Sequence, residues 1–504
     1  MHTADKPKQA LVLDVGTSML KACVVDANGS FLSCVLQRWS CTPQEGVPSG
    51  LEFQPRQLAE EMLLLGARAV KQAGGVADGL IVSTQRLGFV FLDDAGHAIA
   101  GLPNIDRRAA QEALAFRGET GLQDYAVTGR WPGAQHLIVR LRWWRRYRPD
   151  VFGHICHIVS IGDYLTGYLT GKFLCEPTTA CETGLLDVQQ KEWSAMLLHR
   201  ETLEESWFGL LRSPGSCAGL LREEAARVLE LPQGTPVLVG GGDTQLGVLG
   251  AGGVNRGDMA VVAGTSAPVN VVVDEAVSDP EYRLITNPHV AAGKWVLEAN
   301  AMLTGTEFQW IKDLLWENTG PAGFQCLNDM AENELKREGK LASVTMLAGA
   351  SVANARRGNL YPQGVISFAM EDINAGRITR DALALSAFET AVYAILSNVE
   401  LLSRRVGKPD RLIIGGGETK LPLFIRMLAA LAQVPVYQAQ GEDLTCLGAA
   451  MLAFVGLGCF RSAEAAVEKM ARLMPVQTPP MIRQQELAQR MKNWNDAFDR
   501  FAIR

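Results

Sequence analysis

The sequence predicts an α/β fold with two similar lobes and a cleft between them. One observation is a buried β-run at residues 11–15 that leads into the polar turn Gly16-Thr17-Ser18. The others are a β-run at 237–242 that leads into Asp243, and a β-run that leads into Gly264-Thr265-Ser266. Ligands of α/β proteins bind at the carboxyl ends of strands. The pattern therefore predicts lobes whose strand ends meet around the phosphates of a nucleotide.

The length and composition predict a large cytoplasmic protein. A chain of 504 residues forms at least two domains, which we place at 1–236 and 237–504. The net charge of −6 argues against a nucleic-acid partner. The charged segment 1–9 lacks the apolar core of a signal peptide, and no apolar run reaches the ~20 residues of a membrane span. The ten cysteines form no CxxC pair, which suits a reducing compartment. The sequence is also compatible with a homodimer.

The first half is predicted to begin with strands at 11–15, 20–26 and 31–37, the last two joined by the turn Asn28-Gly29. Helical periodicity follows at 56–73. The remaining elements predicted in this half are, in order, strands at 79–83 and 89–92 and helices at 107–118, 136–147, 163–170 and 222–229.

The second half, from about 236, is predicted to repeat this plan. A strand and a glycine turn lead into a helix at 244–251, and strands follow at 258–263 and 268–273. A later strand begins at Arg411 and runs into a third glycine turn, which precedes a helix at 422–432. No low-complexity linker separates the halves, so we expect a hinge built from packed elements.

Three glycine turns are candidates for holding a nucleotide. Backbone N–H groups in tight turns bind phosphate oxygens, and glycine lets the backbone approach closely. The first two turns suit phosphates, with hydroxyl groups as further donors, and Gly415-Gly416-Gly417 suits adenine and ribose. Each turn alone is also compatible with a plain structural turn. The chain lacks both GxxxxGK[ST] and GxGxxG, which disfavours P-loop and dinucleotide-binding proteins.

Asp14 and Asp243 are candidate functional carboxylates. Asp14 follows the first strand and could hold Mg²⁺ through water, because Mg²⁺ keeps much of its hydration shell. Asp243 could accept the proton of an attacking hydroxyl group. The alternative for both is a capping role at the turn or helix that follows.

These motifs resemble the FGGY family of carbohydrate kinases, in the superfamily of sugar kinases, actin and heat-shock chaperones. The first phosphate motif of that family is similar to Asp14-x-Gly-Thr-x-x-x-Lys21 with Asp26. The other resemblances, in chain order, are the catalytic turn Gly241-Gly242-Asp243, the second phosphate motif Gly264-Thr265-Ser266, the adenosine motif Gly415-Gly416-Gly417-Glu418 and the closing helix Leu447-Gly448-Ala449-Ala450.

The resemblance implies two ribonuclease-H-like lobes that close over ATP, Mg²⁺ and a small sugar or polyol. Residues 1–236 would bind mainly the sugar, and 237–504 mainly ATP. The resemblance makes Asp243 the catalytic base and Asp14 the metal-binding residue. It assigns the nucleotide to the three glycine turns with Lys21 and Glu418. Closure of the lobes would exclude water and limit wasteful ATP hydrolysis.

The sugar site implied by the resemblance contains Gln85, Arg86, Asp106 and Asp243. Asp106 would accept hydrogen bonds from sugar hydroxyls, although a helix N-cap is an equal alternative. Many family members carry Gln-Arg-Glu or Gln-Met-His where this chain has Gln85-Arg86-Leu87. Leu87 removes the usual polar group, so the substrate differs or binds differently.

Several segments resemble the quorum-sensing autoinducer kinase branch, which phosphorylates a small linear dihydroxy-ketone at a primary hydroxyl. They are Asn104–Ala110, Thr183–Asp187, Gly240–Gly247, Ser278–Glu281 and Asn287–Val290. Xylulose-type ketose kinases are the alternative within the family. Leu87 and a degenerate second signature near 361–389 also leave open a sugar- or nucleotide-binding regulator without strong activity. A chaperone- or filament-type ATPase is the weakest alternative.

Overall fold

The computed structural model describes residues 7–315, 320–357, 364–477 and 483–502. It confirms the predicted α/β fold. The strands are β1 (Gln9–Val15), β2 (Met19–Asp26), β3 (Phe31–Arg38), β4 (Thr42–Pro43), β5 (Leu51–Glu52), β6 (Gly79–Thr84), β7 (Phe89–Leu92), β8 (Ala98–Leu102), β9 (His157–Ser160), β10 (Leu174–Cys175), β11 (Leu186–Asp187), β12 (Glu192–Trp193), β13 (Leu210–Leu211), β14 (Cys217–Leu220), β15 (Pro236–Gly242), β16 (Asp258–Val262), β17 (Pro268–Val273), β18 (Ile285–Pro288), β19 (Trp295–Asn300), β20 (Thr345–Leu347), β21 (Val365–Ser367), β22 (Arg411–Gly415), β23 (Val436–Gln440) and β24 (Arg472–Pro475).

The α-helices alternate with these strands along the chain. They are α1 (Pro55–Gln72), α2 (Ala110–Thr128), α3 (Leu137–Tyr147), α4 (Pro149–Phe152), α5 (Ile161–Thr170), α6 (Pro177–Ala180), α7 (Ala195–Arg200), α8 (Glu223–Leu229), α9 (Asp243–Gly250), α10 (Thr304–Leu315), α11 (Gly320–Lys336), α12 (Met370–Asn374), α13 (Arg380–Val406), α14 (Pro422–Leu431), α15 (Leu444–Gly456), α16 (Ala463–Met470) and α17 (Gln484–Ala502).

Two large mixed sheets form the centres of the two halves. The first has the strand order β14-β15-β6-β1-β2-β3, and the second has the order β18-β19-β17-β16-β22-β23-β24. In each sheet an antiparallel pair, β1 with β2 or β16 with β17, continues into parallel neighbours. The halves therefore share a plan, as the sequence predicted.

Strand β15 hydrogen-bonds to β6 in the first sheet, although the sequence analysis placed it at the start of the second half. Residues 237–242 thus continue the first sheet, and the chain turns toward the second only after α9. The division into 1–236 and 237–504 stays a prediction.

Helices α9 and α15 lie between the two sheets. One face of the first sheet packs against α1. On the opposite face, Val12 and Ile81 pack in one apolar cluster with Ala450 and its neighbours on α15. Helix α9 contacts both sheets: Leu246 and Leu249 belong to the cluster on the first sheet, and Val248 packs against Ala260 in the second. The joint between the lobes is therefore built from packed helices.

Two glycines allow α9 and α15 to touch. A Cβ atom at Gly250 would lie 1.9 Å from the carbonyl oxygen of Leu444, and one at Gly448 would lie 1.9 Å from that of Leu246. Real carbon–oxygen contacts are much longer, so any side chain at either position would push the helices apart.

Helix α2 differs most from its prediction. It begins at Ala110 and continues to Thr128, rather than spanning 107–118. Gly118 is helical and exposed, so the helix continues through it. The helix ends at Gly129, whose φ of +67° is the left-handed conformation that closes many helices.

Among the residues described here, α13 is long and apolar enough to cross a membrane, and 94% of its apolar window is buried inside the protein. Burial against the second sheet accounts for this composition. The degenerate second signature near 361–389 covers β21, α12 and the start of α13, and its residues 361–363 lie outside the described ranges, as do 1–6 of the N-terminal segment.

Candidate active site

Three adjacent parallel strands end at the same edge of the first sheet. Val15 at the end of β1 pairs with Thr84 at the end of β6, and Gly242 at the end of β15 pairs with Thr84 from the other side. This register places the turns that follow these strands next to one another. Each turn carries predicted site residues, so the sheet topology brings the sequence motifs together.

Asp14 is buried at the end of β1 and contacts two donors. Its Oδ1 accepts a hydrogen bond from Ser83 Oγ at 2.7 Å, and its Oδ2 lies 3.3 Å from Lys21 Nζ. Burial raises the pKa of Asp14, and the positive charge of Lys21 opposes that rise. Lys21 also lies 2.5 Å from Asp443 Oδ2. Burial alone would lower the pKa of Lys21, but the two carboxylates raise it above its usual value, so Lys21 stays charged.

The Gly16-Thr17-Ser18 turn is hydrogen-bonded to the protein at each residue, although its second and third residues are exposed. The Gly16 N–H donates to the carbonyl oxygen of Met19, and the Gly16 carbonyl accepts from Trp39 Nε1 and from Gln85 Nε2. Thr17 and Ser18 are exposed, and the Thr17 hydroxyl accepts from Asn104 Nδ2 at 2.8 Å while the Ser18 carbonyl accepts from the Trp39 N–H at 3.3 Å. A turn with a fixed base and exposed polar residues is suited to contact an anionic ligand.

Asp243 is the first residue of α9 and lies beside Arg86. Its Oδ1 accepts hydrogen bonds from its neighbour Thr244, through the backbone N–H at 2.7 Å and the hydroxyl at 3.2 Å. Burial raises the pKa of Asp243 to about 6, with Arg86 lowering it and Asp14 raising it. A carboxylate with this pKa is mostly ionised at neutral pH and can accept a proton.

A buried hydrogen-bond chain holds the residue before Asp243. The Gly242 N–H donates to Thr178 Oγ1 at 2.8 Å, and the Thr178 hydroxyl donates to Glu176 Oε2 at 2.6 Å. From the other side, Thr445 Oγ1 donates to the Asp243 carbonyl oxygen at 3.3 Å. The backbone of Gly242 and Asp243 is thus fixed by side chains from α6 and α15.

The glycine run before Asp243 is required by packing. A Cβ atom at Gly240 would lie 1.6 Å from the carbonyl oxygen of Val82 on β6, so no side chain fits there. At Gly242 it would lie 2.8 Å from Gln245 Oε1 and 3.1 Å from Arg86 Cγ. These protein contacts alone explain why glycines precede Asp243, whether or not a ligand binds there.

Arg86 follows β6 of the first sheet, and its side chain reaches the second sheet. Its guanidinium forms a two-pronged contact with Glu298 of β19, with Nη1–Oε2 at 2.7 Å and Nη2–Oε1 at 3.0 Å. A second buried arginine, Arg130, lies nearby. Its Nη1 donates to Glu182 Oε2 at 2.5 Å, and its Nη2 donates to Asn287 Oδ1 at 2.6 Å. Arg86 places a positive charge beside Asp243, where it lowers the pKa of that carboxylate.

Gln85 and Asp106 are fully engaged with protein groups. Gln85 accepts from the Asn104 N–H and donates to the Gly16 carbonyl, so it joins two loops. Both oxygens of Asp106 accept from Arg108 Nε, and its Oδ1 also accepts from the Leu51 N–H. The Asp106 side chain is 0% exposed. These hydrogen bonds hold the loop at 104–108 in place. Direct contact of Gln85 or Asp106 with a sugar stays a prediction.

The second lobe brings its two glycine turns together in the same manner. Strands β16 and β22 are parallel, with Val262 opposite Gly415, and the Ala263 N–H donates to the Gly415 carbonyl at 2.7 Å. Gly416 has a φ of +104°, and a Cβ atom there would lie 2.3 Å from the Ala263 carbonyl oxygen. The turn at 264–266 therefore lies directly against the turn at 415–418.

A cavity of about 610 Å³ opens beside these turns. Its walls include Gly264, Thr265, Phe308, Phe324 and Glu418. Glu418 Oε1 accepts from Thr304 Oγ1 at 2.6 Å, and burial raises the pKa of Glu418 to about 8. An apolar cavity bordered by exposed backbone has the size and lining that a nucleoside needs.

Sequence reasoning missed Asp443, Thr178, Glu182, Asn287 and Glu298. Asp443 had a detectable signal, because an Asp three residues before Cys446 at the start of an apolar helix is a typical N-cap, and Asp443 Oδ1 accepts from the Cys446 N–H. The others contact Arg86, Arg130 or the catalytic turn across long sequence separations. No local pattern in a single sequence reveals such pairs.

Curated relatives match nearly the whole chain. An autoinducer-2 kinase from Photorhabdus laumondii is 28% identical over 480 residues, which cover 92% of this chain and 89% of that protein. An autoinducer-2 kinase from Klebsiella pneumoniae is 27% identical, covering 97% of this chain and 93% of that protein.

Solved structures match the fold over its full length. A xylulose kinase from Lactobacillus acidophilus superposes with a TM-score of 0.88 at 18% identity and covers 98% of each chain. A xylulose kinase from Rhodospirillum rubrum gives 0.86 at 22% identity, covering 98% of this chain and 99% of that one. These likenesses agree with the predicted pair of actin-like lobes.

The sequence models of one family account for both halves. The N-terminal domain model of the FGGY family of carbohydrate kinases matches residues 9–250, and its C-terminal domain model matches residues 259–457. The activity class of this family is phosphoryl transfer from ATP to a sugar hydroxyl group. With two family domains in order and the predicted turns meeting at the strand ends, the chain belongs to the FGGY family of carbohydrate kinases.

Proposed function

We propose that this kinase transfers the γ-phosphoryl group of ATP to the primary hydroxyl of a small linear dihydroxy-ketone of the autoinducer-2 class. The relatives that carry the name autoinducer-2 kinase support this substrate class, because they align with 92–97% of the chain. The observation that carries the reaction is the position of Asp243, which follows β15 beside Arg86 at the edge where β1 and β6 also end.

We infer that Asp243 is the catalytic base. A sugar hydroxyl next to its free oxygen would donate its proton to the carboxylate while the alcohol oxygen bonds to the γ-phosphorus. The bond between that phosphorus and the bridging oxygen breaks, and ADP leaves. In such a loose transition state the base mainly orients the nucleophile, so an ordinary carboxylate suffices.

We infer that the nucleotide binds between the two sets of glycine turns. Adenine and ribose would occupy the cavity beside Gly417 and Glu418, and the phosphates would reach toward Gly264-Thr265-Ser266 and Gly16-Thr17-Ser18. Lys21 carries a permanent positive charge at the same edge of the first sheet and would approach the phosphates. We therefore assign the sugar mainly to 1–236 and ATP mainly to 237–504.

We infer that Asp14 would hold Mg²⁺ through a water molecule. The described part of the chain has no group of three acidic, His or Cys side chains that could cage a metal. Mg²⁺ in kinases needs no such cage, because phosphates and water supply most of its ligands. Asp14 offers one oxygen that only the 3.3 Å contact with Lys21 engages. When bound, the ion would neutralise charge on the phosphates.

We further propose that the protein acts in the cytoplasm without a nucleic-acid or membrane partner. The acidic net charge of −6 and the burial of α13 support this proposal. A homodimer is compatible with it.

The test is an ADP-release assay with a panel of ketoses, polyols and a linear dihydroxy-ketone, with the phosphorylated product identified. The proposal predicts fastest turnover with the dihydroxy-ketone and a phosphate ester on its primary carbon. A clear preference for xylulose would instead support a xylulose-type ketose kinase. Absence of ADP release with every sugar, alongside retained nucleotide binding, would support a regulator.

A further inference from the structure

The contact between Arg86 and Glu298 crosses the cleft. Arg86 follows β6 of the first sheet, and Glu298 lies in β19 of the second. Both terminal nitrogens of the arginine meet both oxygens of the carboxylate, at 2.7 and 3.0 Å. This paired geometry is the strongest that an arginine makes with a carboxylate.

Glu298 has no other cation within contact distance among the described residues. Its Oε2 also accepts from Asn287 Nδ2 at 3.0 Å, and its side chain is 2% exposed. Arg130, the second buried arginine of this region, is paired instead with Glu182 at 2.5 Å. Arg86 Nη1 also lies 3.5 Å from Glu182 Oε1, so the two arginines and two glutamates form one charge-balanced group, in which Glu298 is the nearer partner of Arg86.

The residue after Arg86 cannot supply an acid. Leu87 is apolar, has a left-handed φ of +64°, and its carbonyl oxygen accepts from Arg140 Nη1 at 3.1 Å. A non-glycine residue held at positive φ is uncommon and is often found at functional sites. Two carboxylates from elsewhere in the fold contact Arg86: Glu182 of the first lobe, at 3.5 Å, and Glu298 of the second, at 2.7 and 3.0 Å with paired geometry.

The pair lies next to the catalytic turn. A Cβ atom at Gly242 would lie 3.1 Å from Arg86 Cγ, and Asp243 is the following residue. A sugar whose hydroxyl reaches Asp243 would therefore extend its next oxygens toward Arg86 and Glu298. The guanidinium can donate to a ketone oxygen, and the carboxylate can accept from a hydroxyl group.

We propose that Glu298 is a substrate-binding, specificity-determining residue, which accepts a hydrogen bond from the hydroxyl adjacent to the ketone while Arg86 donates to the ketone oxygen. This inference rests on the proposed kinase function. Because Glu298 comes from the second lobe, the contact forms only when the lobes are together. Among the described residues Glu298 Oε1 accepts only from Arg86 Nη2, so a substrate without the hydroxyl leaves the second acceptor position of this buried oxygen unused, which gives discrimination.

The experiment compares a ketose with the analogue that lacks the adjacent hydroxyl, on the wild type, Glu298→Gln and Glu298→Asp. We expect the wild type to favour the hydroxylated ketose in kcat/KM by at least about tenfold, as expected for a site built to bond a hydroxyl. Both variants should reduce that preference about tenfold and leave KM for ATP within twofold. Glu275→Gln, the same substitution at an exposed position on the second lobe, is the control and should behave as wild type.

Two outcomes would overturn the inference. Equal losses for both substrates would indicate that Glu298 only stabilises the fold, and unchanged preference would indicate no contact. Calorimetric binding of the same two sugars, without nucleotide, separates this inference from the kinase proposal. If the wild type binds the hydroxylated ketose through Glu298 but phosphorylates nothing, the proposed reaction fails and the assignment of Glu298 stands.

Discussion

Lys21 and Asp443 form an ion pair at 2.5 Å that joins β2 of the first sheet to the start of α15. The same carboxylate caps α15, since its Oδ1 accepts from the Cys446 N–H at 2.9 Å. Asp14 lies on the other side of Lys21, at 3.3 Å. Asp443 therefore positions both a helix between the lobes and a cation at the predicted phosphate site.

Replacement of Asp443 tests this double role. Loss of an N-cap costs about 1 kcal/mol, so Asp443→Ala should lower the free energy of unfolding by about 1–2 kcal/mol in urea denaturation. Asp443→Asn keeps a side-chain oxygen for the cap and should lose less. Ser462→Ala, which removes the cap of α16 without affecting an ion pair, gives the scale for capping alone. Equal losses in the Asn and Ala variants would contradict the capping role.

The central strands of both sheets were predictable, because each is a short, buried apolar run that ends in a polar or glycine turn, whereas β14, β18, β19, β23 and β24 were not predicted. The predicted strands at 11–15, 79–83 and 268–273 match β1, β6 and β17 to within two residues. The extent of α2 was not predictable in this way, because Gly118 resembles a helix terminator and only the structure shows that Gly129 ends the helix.

The position of α9 and α15 between the two sheets could not be predicted from the sequence. Periodicity identifies the apolar residues of α9 and α15 but not which sheet they cover. For the site, local motifs identified the glycine turns, Asp14 and Asp243. Glu298 was not identified from the sequence, because its contact with Arg86 spans 212 positions along the chain. Asp106 illustrates the opposite problem, since a plausible sugar ligand is engaged by Arg108 and the Leu51 N–H.

Two helical glycines should respond to alanine with opposite signs. Gly448→Ala places a methyl group against the Leu246 carbonyl oxygen and should destabilise the protein by about 1–3 kcal/mol or more. Gly118→Ala adds a methyl group to an open position on α2 and should stabilise by about 0.5–1 kcal/mol. Denaturant unfolding of the two variants measures both values. A stabilising effect at Gly448 would show that α9 and α15 are not in close contact.

The rate should depend on pH through Asp243. Its pKa is raised to about 6 by burial, and only the ionised carboxylate accepts a proton. Because the base is protonated below its pKa, kcat/KM for the sugar should fall about tenfold per pH unit below about pH 6 and level off above about pH 7. The dissociation constant of ATP over the same range is the control and should change less. A flat profile down to pH 5 would contradict this role.

Thr178 should matter as a positioning residue for the catalytic turn. Thr178→Val removes the acceptor of the Gly242 N–H and leaves that buried group without a partner, which costs about 1–3 kcal/mol. We expect kcat to fall about tenfold or more while KM for ATP stays near the wild-type value. Thr178→Ser retains the hydroxyl and should recover most of the rate. If serine and valine behave alike, the hydroxyl does not position the turn.

The central claim is that Asp243 accepts the proton of a sugar hydroxyl. The most direct measurement is sugar-dependent ADP release by Asp243→Asn, taken together with the dissociation constant of ATP. The account predicts a loss of turnover of at least about a thousandfold with ATP binding unchanged, because asparagine keeps the shape but cannot take the proton. Turnover within tenfold of the wild type would contradict it.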